Sequence, residues 1–203
     1  MKKYSLIIFD LDGVVIDSKK NMSYAWGEVK KRHQIKMGFK KYFQYIGYPF
    51  NEILKKMKIE KNHFDIQKTF SKGSLESLDR IKLYRNIRKI LLSLIRKKVK
   101  IAILTSKDKK RTLKIIKKFN LPFKILVCGE ENIKGKPSPL QINNLIKMFK
   151  VKKSKVVYVG DMKVDFLLTK NAKIDFIFAN YGYGKKVKAN FKINKPSDIL
   201  NFV

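Results

Sequence analysis

The chain has 203 residues, with 48 Lys plus Arg against 16 Asp plus Glu, a formal net charge of +32, 44% apolar residues and one cysteine. That length and apolar content support one substantial core with room for a smaller inserted module, and the lone Cys128 excludes an intramolecular disulfide and fits a reducing compartment, the cytoplasm by default. Its apolar runs are only of strand length, so neither a membrane span nor a cleavable signal peptide is expected.

The first predicted element is the apolar run Tyr4 to Phe9, which ends in Asp10-Leu11-Asp12-Gly13. Two carboxylates two residues apart, in a chain short of acids, stand where a buried strand should finish. From about Asp17 to Lys82 no apolar strand run occurs, only helical patterns rich in Lys, Phe and Tyr. That is too long for a plain crossover and reads as an inserted helical cap. Within it Gly47-Tyr48-Pro49-Phe50 is a turn, and Asn51 is expected to N-cap a helix through Met57. His33 and His63 have no partner at ligand spacing and are expected at the surface. Asp17 is expected to cap the following helix or to touch the site as a supporting acid.

Beyond the cap the spacing of Ile87, Ile90, Leu91, Leu94 and Ile95 predicts an amphipathic helix. Next come the strand Val99 to Leu104, which runs into Thr105 and Ser106, and a helix placing Leu113, Ile116 and Phe119 on its apolar face. A third strand covers Ile125 to Cys128. Gly135-Lys136-Pro137-Ser138-Pro139 precedes a helix through Phe149, and the strand Val156 to Val159 leads to Gly160, Asp161 and Asp165. A helix from Phe166 to Lys173 and a last strand, Phe176 to Ala179, complete the series. Runs of Ile and Val without alternation suit strands buried on both faces. Strand and helix in alternation predict an α/β fold, a Rossmann-like parallel sheet with helices on both faces and the helical cap inserted. The division is residues 1–16 and 83–203 for the core and 17–82 for the cap.

In such a sheet ligands bind beyond the carboxyl ends of the strands. Asp10, Asp12, Thr105, Ser106, Asp161 and Asp165 all fall at such ends, with Lys136 in the loop before the helix that leads to the fourth strand. Crowded carboxylates repel one another unless a cation sits among them, and a hard divalent ion with oxygen ligands, Mg²⁺ above all, answers that need. Each residue also has a plain structural reading, as turn, cap or helix-start residue. Lys134 competes with Lys136, because Lys is so common here.

These motifs, in this order, resemble those of the haloacid dehalogenase-like hydrolase superfamily, in its phosphoglycolate-phosphatase-like branch. Asp10 to Gly13, Thr105, Lys136 in Gly-Lys-Pro-x-Pro, and Gly160-Asp161-x-x-x-Asp165 match its four motifs. Gly47-Tyr48-Pro49 resembles the cap loop that enters the site and binds substrate, and Tyr181-Gly182-Tyr183-Gly184 resembles a segment after the last core strand. The resemblance implies Asp10 as nucleophile, forming an aspartyl-phosphate, and Asp12 as general acid and base. It also implies Mg²⁺ held by Asp10, the Asp12 carbonyl and Asp161 with help from Asp165. Thr105 and the Ser106 amide would bind phosphate, and Lys136 would neutralise the cluster. Tyr84-Arg85-Asn86 departs from the usual return from cap to core, and Met162 stands where Thr or Ser is usual, which would forfeit a supporting hydrogen bond. Asp12 itself argues against dehalogenation.

The expected activity is Mg²⁺-dependent hydrolysis of a small phosphorylated metabolite, of phosphoglycolate or sugar phosphate type, by a monomer or homodimer. A phosphomutase or phosphonatase on the same fold is the alternative, as is a basic polyanion-binding protein. The 42 Lys and 6 Arg are spread from end to end, which reads as a solvated coat, so nucleic acid is not the expected partner.

Overall fold

The structure, a computed structural model, describes residues 3–60, 62–129 and 134–203. Strand β1 (Leu6–Phe9) is buried at every position because neighbours cover both faces. Leu6 and Ile8 point into one helical layer, Ile7 and Phe9 into the other, as the two-residue period of a strand requires. After β1 the chain forms β2 (Ile16–Asp17), which pairs antiparallel with β3 (Lys82–Leu83). Through this two-strand stem it leaves the sheet and returns. Neither short strand has the apolar length that marks a strand in sequence.

Four helices lie between the stem strands: α1 (Lys19–His33), α2 (Phe39–Phe43), α3 (Phe50–Lys56) and α4 (His63–Glu76). They enclose their own core around Trp26, Tyr42, Leu54 and Phe70, with Trp26 stacked on Tyr42 at 4.8 Å. Asn51 is not the N-cap of α3: the helix starts two residues earlier than expected, with Pro49 as its N-cap and Asn51 inside. Proline's fixed φ leads directly into the first turn, so no side-chain cap is needed. His33 and His63 are half-buried rather than at the surface; His33 Nε2 meets Thr69 Oγ1 at 2.9 Å, and His63 meets the Ile59 carbonyl.

The sheet continues with α5 (Ile87–Arg96), β4 (Lys100–Asp108), α6 (Lys109–Lys118), β5 (Leu126–Gly129), α7 (Leu140–Phe149), β6 (Val156–Gly160), α8 (Lys163–Ala172), β7 (Asp175–Ala179) and β8 (Phe191–Ile193). Its order is β5-β4-β1-β6-β7-β8, all parallel. One helical layer holds Ile87, Leu91 and Ile115; the other holds Ile142, Leu145 and Leu168. Two expected apolar faces are rotated slightly: Ile95 is exposed on α5, and on α6 Ile115 is buried while Leu113 faces solvent. The third-strand prediction fell one residue early, and β8 was not foreseen, since Phe191-Lys192-Ile193 is too short to stand out. Among the described residues no helix is long and apolar enough to cross a membrane.

Candidate active site

The strand order reverses between β1 and β6, so a crevice opens at their carboxyl ends. Phe9 is in register with Ile103 of β4 and Val159 of β6. Asp10, Thr105 and Asp161 therefore emerge at nearly one level. The Asp10 backbone N–H donates to the Val159 carbonyl at 2.9 Å, which fixes where the side chain starts.

Asp10, Asp161 and Asp165 are buried, and each offers an oxygen within 4.8 Å of the others. Lys136 Nζ lies 3.0 Å from Asp10 Oδ1 and 2.9 Å from Asp165 Oδ1, itself only 2% exposed. Lys134, its rival in the sequence, is exposed and makes no ion pair with this cluster among the described residues. Burial pushes the Asp10 carboxyl up to about 7, against the pull of Lys136 and with repulsion from Asp165 and Asp12. Burial also drives Asp161 well above the carboxylate range, and Asp165 and Asp10 add to it. Lys136 is held above the usual lysine range: burial disfavours its charge, but Asp10 and Asp165 outweigh it.

One ammonium among three buried carboxylates leaves negative charge uncompensated. Asp161 Oδ1 is buried with no hydrogen-bond partner among the described residues. An orphaned carboxylate oxygen is costly in a dry site. A hard cation coordinated by oxygen would satisfy it, so these residues fit a divalent ion of the Mg²⁺ type.

The remaining contacts of the cluster hold it in place. Asp165 Oδ2 accepts from the backbone N–H of Asp161 at 3.2 Å and of Met162 at 3.0 Å, so it caps α8 and positions Asp161 together. Met162 thus gives up no capping; its side chain packs beneath the cap cluster instead. The Tyr183 N–H donates to Asp161 Oδ2 at 2.6 Å. Gly13, at φ +83, lies so close that a Cβ there would stand 2.2 Å from Asp161 Oδ2. Gly182 packs on the same carboxylate, which accounts for the small residues in the Tyr181 to Gly184 segment.

Asp12 faces a chamber between sheet and cap, where Ser18 Oγ donates to its Oδ1 and Lys107 Nζ lies 3.2 Å from its Oδ2. Leu11 points into the core, as expected. Lys107 was not singled out in the sequence, yet it is buried, and burial lowers its pKa despite Asp12. A Lys one residue past Thr105-Ser106 carries no signal in a chain so rich in lysine. Thr105 lines the chamber and is buried, with Oγ1 accepting from the Lys107 N–H at 3.2 Å. The Ser106 hydroxyl is committed to the cap: it donates to the Gly47 carbonyl at 2.6 Å. Gly47 has φ +95, and a Cβ there would meet Val164 Cγ1 at 2.8 Å, so only glycine lets the cap loop sit this low. Tyr48 lines the same chamber. Asp17 is exposed, accepting from the Lys19 N–H and from the Tyr183 hydroxyl, each at 3.1 Å. Tyr84 stacks edge-on against Tyr181 at 4.9 Å, and Asn86 in left-handed conformation starts α5.

The chamber has a volume of about 50 Å³ and opens beside a wider cleft of about 950 Å³. The chain is 29% identical to a phosphoglycolate phosphatase of Aquifex aeolicus, over 98% of this chain and 96% of that protein. It is 24% identical to pyrophosphatase PpaX of Halalkalibacterium halodurans, over 97% and 95%. A hydrolase from Pseudomonas syringae shares the fold with a TM-score of 0.86 at 21% identity, covering 97% of this chain and 96% of that one. The haloacid dehalogenase-like hydrolase profile matches residues 7–179, a span that carries all four site aspartates, and the chain belongs to that family of enzymes.

Proposed function

We propose that this hydrolase is a Mg²⁺-dependent phosphatase of small phosphorylated metabolites, with Asp10 as its nucleophile. The observation that carries the reading is the environment of Asp10. Its Oδ1 is occupied by Lys136 and by the Leu11 N–H at 2.8 Å, while Oδ2 has no partner among the described residues and Asp10 lines the chamber. A carboxylate held by one oxygen and free at the other is positioned to attack phosphorus. The phosphoryl group passes to Asp10, the leaving alkoxide takes a proton from Asp12, and Asp12 then deprotonates the water that cleaves the aspartyl-phosphate. Ser18 and Lys107 fix the Asp12 carboxylate for both transfers.

Thr105, whose hydroxyl proton remains available, and the Ser106 amide bind phosphoryl oxygens, and Lys136 offsets the charge that accumulates beside Asp10. Asp10, the Asp12 carbonyl and Asp161, with Asp165 in support, would hold Mg²⁺. When bound, the ion supplies electrostatic screening between an anionic ester and an anionic nucleophile. Residues 17–82 serve as a lid over the core formed by 1–16 and 83–203, with Gly47 and Tyr48 as its floor toward substrate. The small chamber suits a short metabolite and excludes polymers.

The test is phosphate release from a panel of phosphorylated metabolites with and without Mg²⁺, beside Asp10→Asn. Turnover that needs both metal and Asp10 supports the reading. Folded protein that releases nothing from any ester, or an Asp10→Asn variant that retains full turnover, overturns it.

A further inference from the structure

The chamber's cap side is mostly apolar, built by Met22, Ile46, Phe50, Ile53 and Phe70, with Tyr42 and Tyr48 as its hydroxyl-bearing side chains. Two buried cations from the core line the chamber: Lys107, paired with Asp12, and Arg111, which reaches across to the cap. Arg111, in the first turn of α6, is 5% exposed and lines both the chamber and the wider cleft, at the boundary between them. Its Nε donates to Asp108 Oδ2, and its guanidinium lies 5.2 Å from the Phe70 ring centroid. Asp108 also accepts from the Arg111 N–H at 2.9 Å, so the backbone of that turn is fixed too.

These contacts use one edge and one face of the guanidinium. The two terminal nitrogens, Nη1 and Nη2, have no hydrogen-bond partner among the described residues and are not sealed from the cavity. A nearly buried guanidinium with its fork unfilled is costly, and a planar fork is the side chain best suited to a carboxylate or phosphate. A clamp between cap and core would explain the Phe70 contact. It would not explain why the fork faces the cavity.

We propose that Arg111 is a specificity-determining residue that receives a second anionic group of the substrate, a carboxylate or a second phosphate joined to the scissile phosphate by a short tether. This deepens the phosphatase reading and rests on it for the placement of the scissile phosphate near Asp10 and Thr105. Few polar groups on the cap side would satisfy a neutral polyhydroxyl chain. Arg111 and Asp10 line the same small chamber, of about 50 Å³, which keeps the tether short.

The test compares wild type, Arg111→Met and Arg111→Lys on two matched pairs: phosphoglycolate against ethyl phosphate, and pyrophosphate against methyl phosphate. Arg111→Met keeps an unbranched apolar stem against Phe70; Arg111→Lys keeps the charge but not the fork. Wild type should prefer the doubly anionic member of at least one pair by about 100-fold in kcat/KM, carried mainly by KM. Arg111→Met should reduce that ratio by at least about tenfold, with Arg111→Lys in between, and if Arg111→Met does not fold, Arg111→Lys alone should lower the ratio. Equal losses on both members of each pair, or no wild-type preference in either, would overturn the proposal. The same ligands are titrated by calorimetry into Asp10→Asn with and without the Arg111 change. Arg111-dependent binding of a doubly anionic ligand by a protein that hydrolyses nothing would sustain Arg111 and sink the phosphatase reading. Binding indifferent to Arg111 would sink the Arg111 proposal whatever the turnover.

Discussion

Asp10→Asn should stabilise the metal-free protein at neutral pH. The Asp10 side chain is 5% exposed and its carboxyl is pushed up to about 7 by burial, against the attraction of Lys136. A carboxyl raised in the folded state binds its proton more tightly there than in the unfolded chain, where it titrates near 3.8. Its contribution to stability is therefore full below about pH 4 and is lost as pH climbs through about 7. At about 1.4 kcal/mol per pH unit, that interval amounts to about 4 kcal/mol. Asn imitates the protonated form and avoids the loss.

Asp161, raised well above the carboxylate range by burial and by Asp165 and Asp10, loses its contribution as pH rises in both proteins, and repulsion from Asp10 makes that loss larger in wild type, in the same direction as the prediction. The remaining shifted groups do not separate the two proteins. Lys136, raised by its carboxylates, stays charged in both states throughout the window. Asp108 sits below the usual carboxylate range, with Arg111 overcoming the effect of burial, so its contribution is lost only in stronger acid. Lys107, lowered by burial, acts in the opposite sense toward higher pH but is common to both proteins. For a chain of this size about 4 kcal/mol corresponds to about 8–16 °C in Tm. Thermal melts in excess EDTA should show the two proteins level near about pH 4 and Asp10→Asn ahead by that amount near about pH 7.5. Saturating Mg²⁺ should then raise wild type by about 3 kcal/mol at a hundredfold excess over Kd, and the variant far less. Parallel pH profiles, or equal Mg²⁺ stabilisation of both, would refute the reasoning.

Lys136→Met removes the ammonium between two buried carboxylates and should cost about 3–5 kcal/mol in the metal-free state, read from urea melts at about pH 7.5; a loss below about 1 kcal/mol contradicts the geometry. Gly47→Ala forces a Cβ toward Val164 at a left-handed φ, so about 1–3 kcal/mol and much of kcat/KM should go together, and an unchanged kcat/KM would show that the loop need not sit low. Asp165→Asn keeps an oxygen for the two backbone donors but turns an amide toward Lys136; Mg²⁺ affinity by calorimetry should fall by about 10- to 100-fold. Lys107→Met should lower kcat by at least about tenfold because Asp12 loses its partner, whereas Lys107→Arg should recover part of it.

What the sequence made legible follows from where its signals are strong. The strands β1, β4, β6 and β7 carry continuous apolar runs of strand length, which burial on two faces of a parallel sheet requires. Acids are scarce, so Asp10, Asp12, Asp161 and Asp165 stood out, and three of them meet within 4.8 Å. The stem strands and β8 were not legible, because two or three residues carry no period and their pairing is decided by tertiary position. The start of α3 was misplaced by two residues for a related reason: Asn51 has the stronger capping side chain, but Pro49 already sets the backbone.

Lys107 and Arg111 mark the deeper limit. A lysine-rich sequence hides the cations of the candidate site, since lysines are spread along the whole chain, and burial is what separates Lys107 and Lys136 from the coat. Lys136 was found by its Gly and Pro neighbours. Lys107 has no such frame and is distinguished solely by being buried and lying 3.2 Å from Asp12. Arg111 is one of 6 Arg among 48 basic residues, and that scarcity was a usable signal. Where lysine is the default cation, a buried arginine lining the same chamber as Asp10 stands out, and the proposed second anion would give a planar fork, rather than charge alone, its use there.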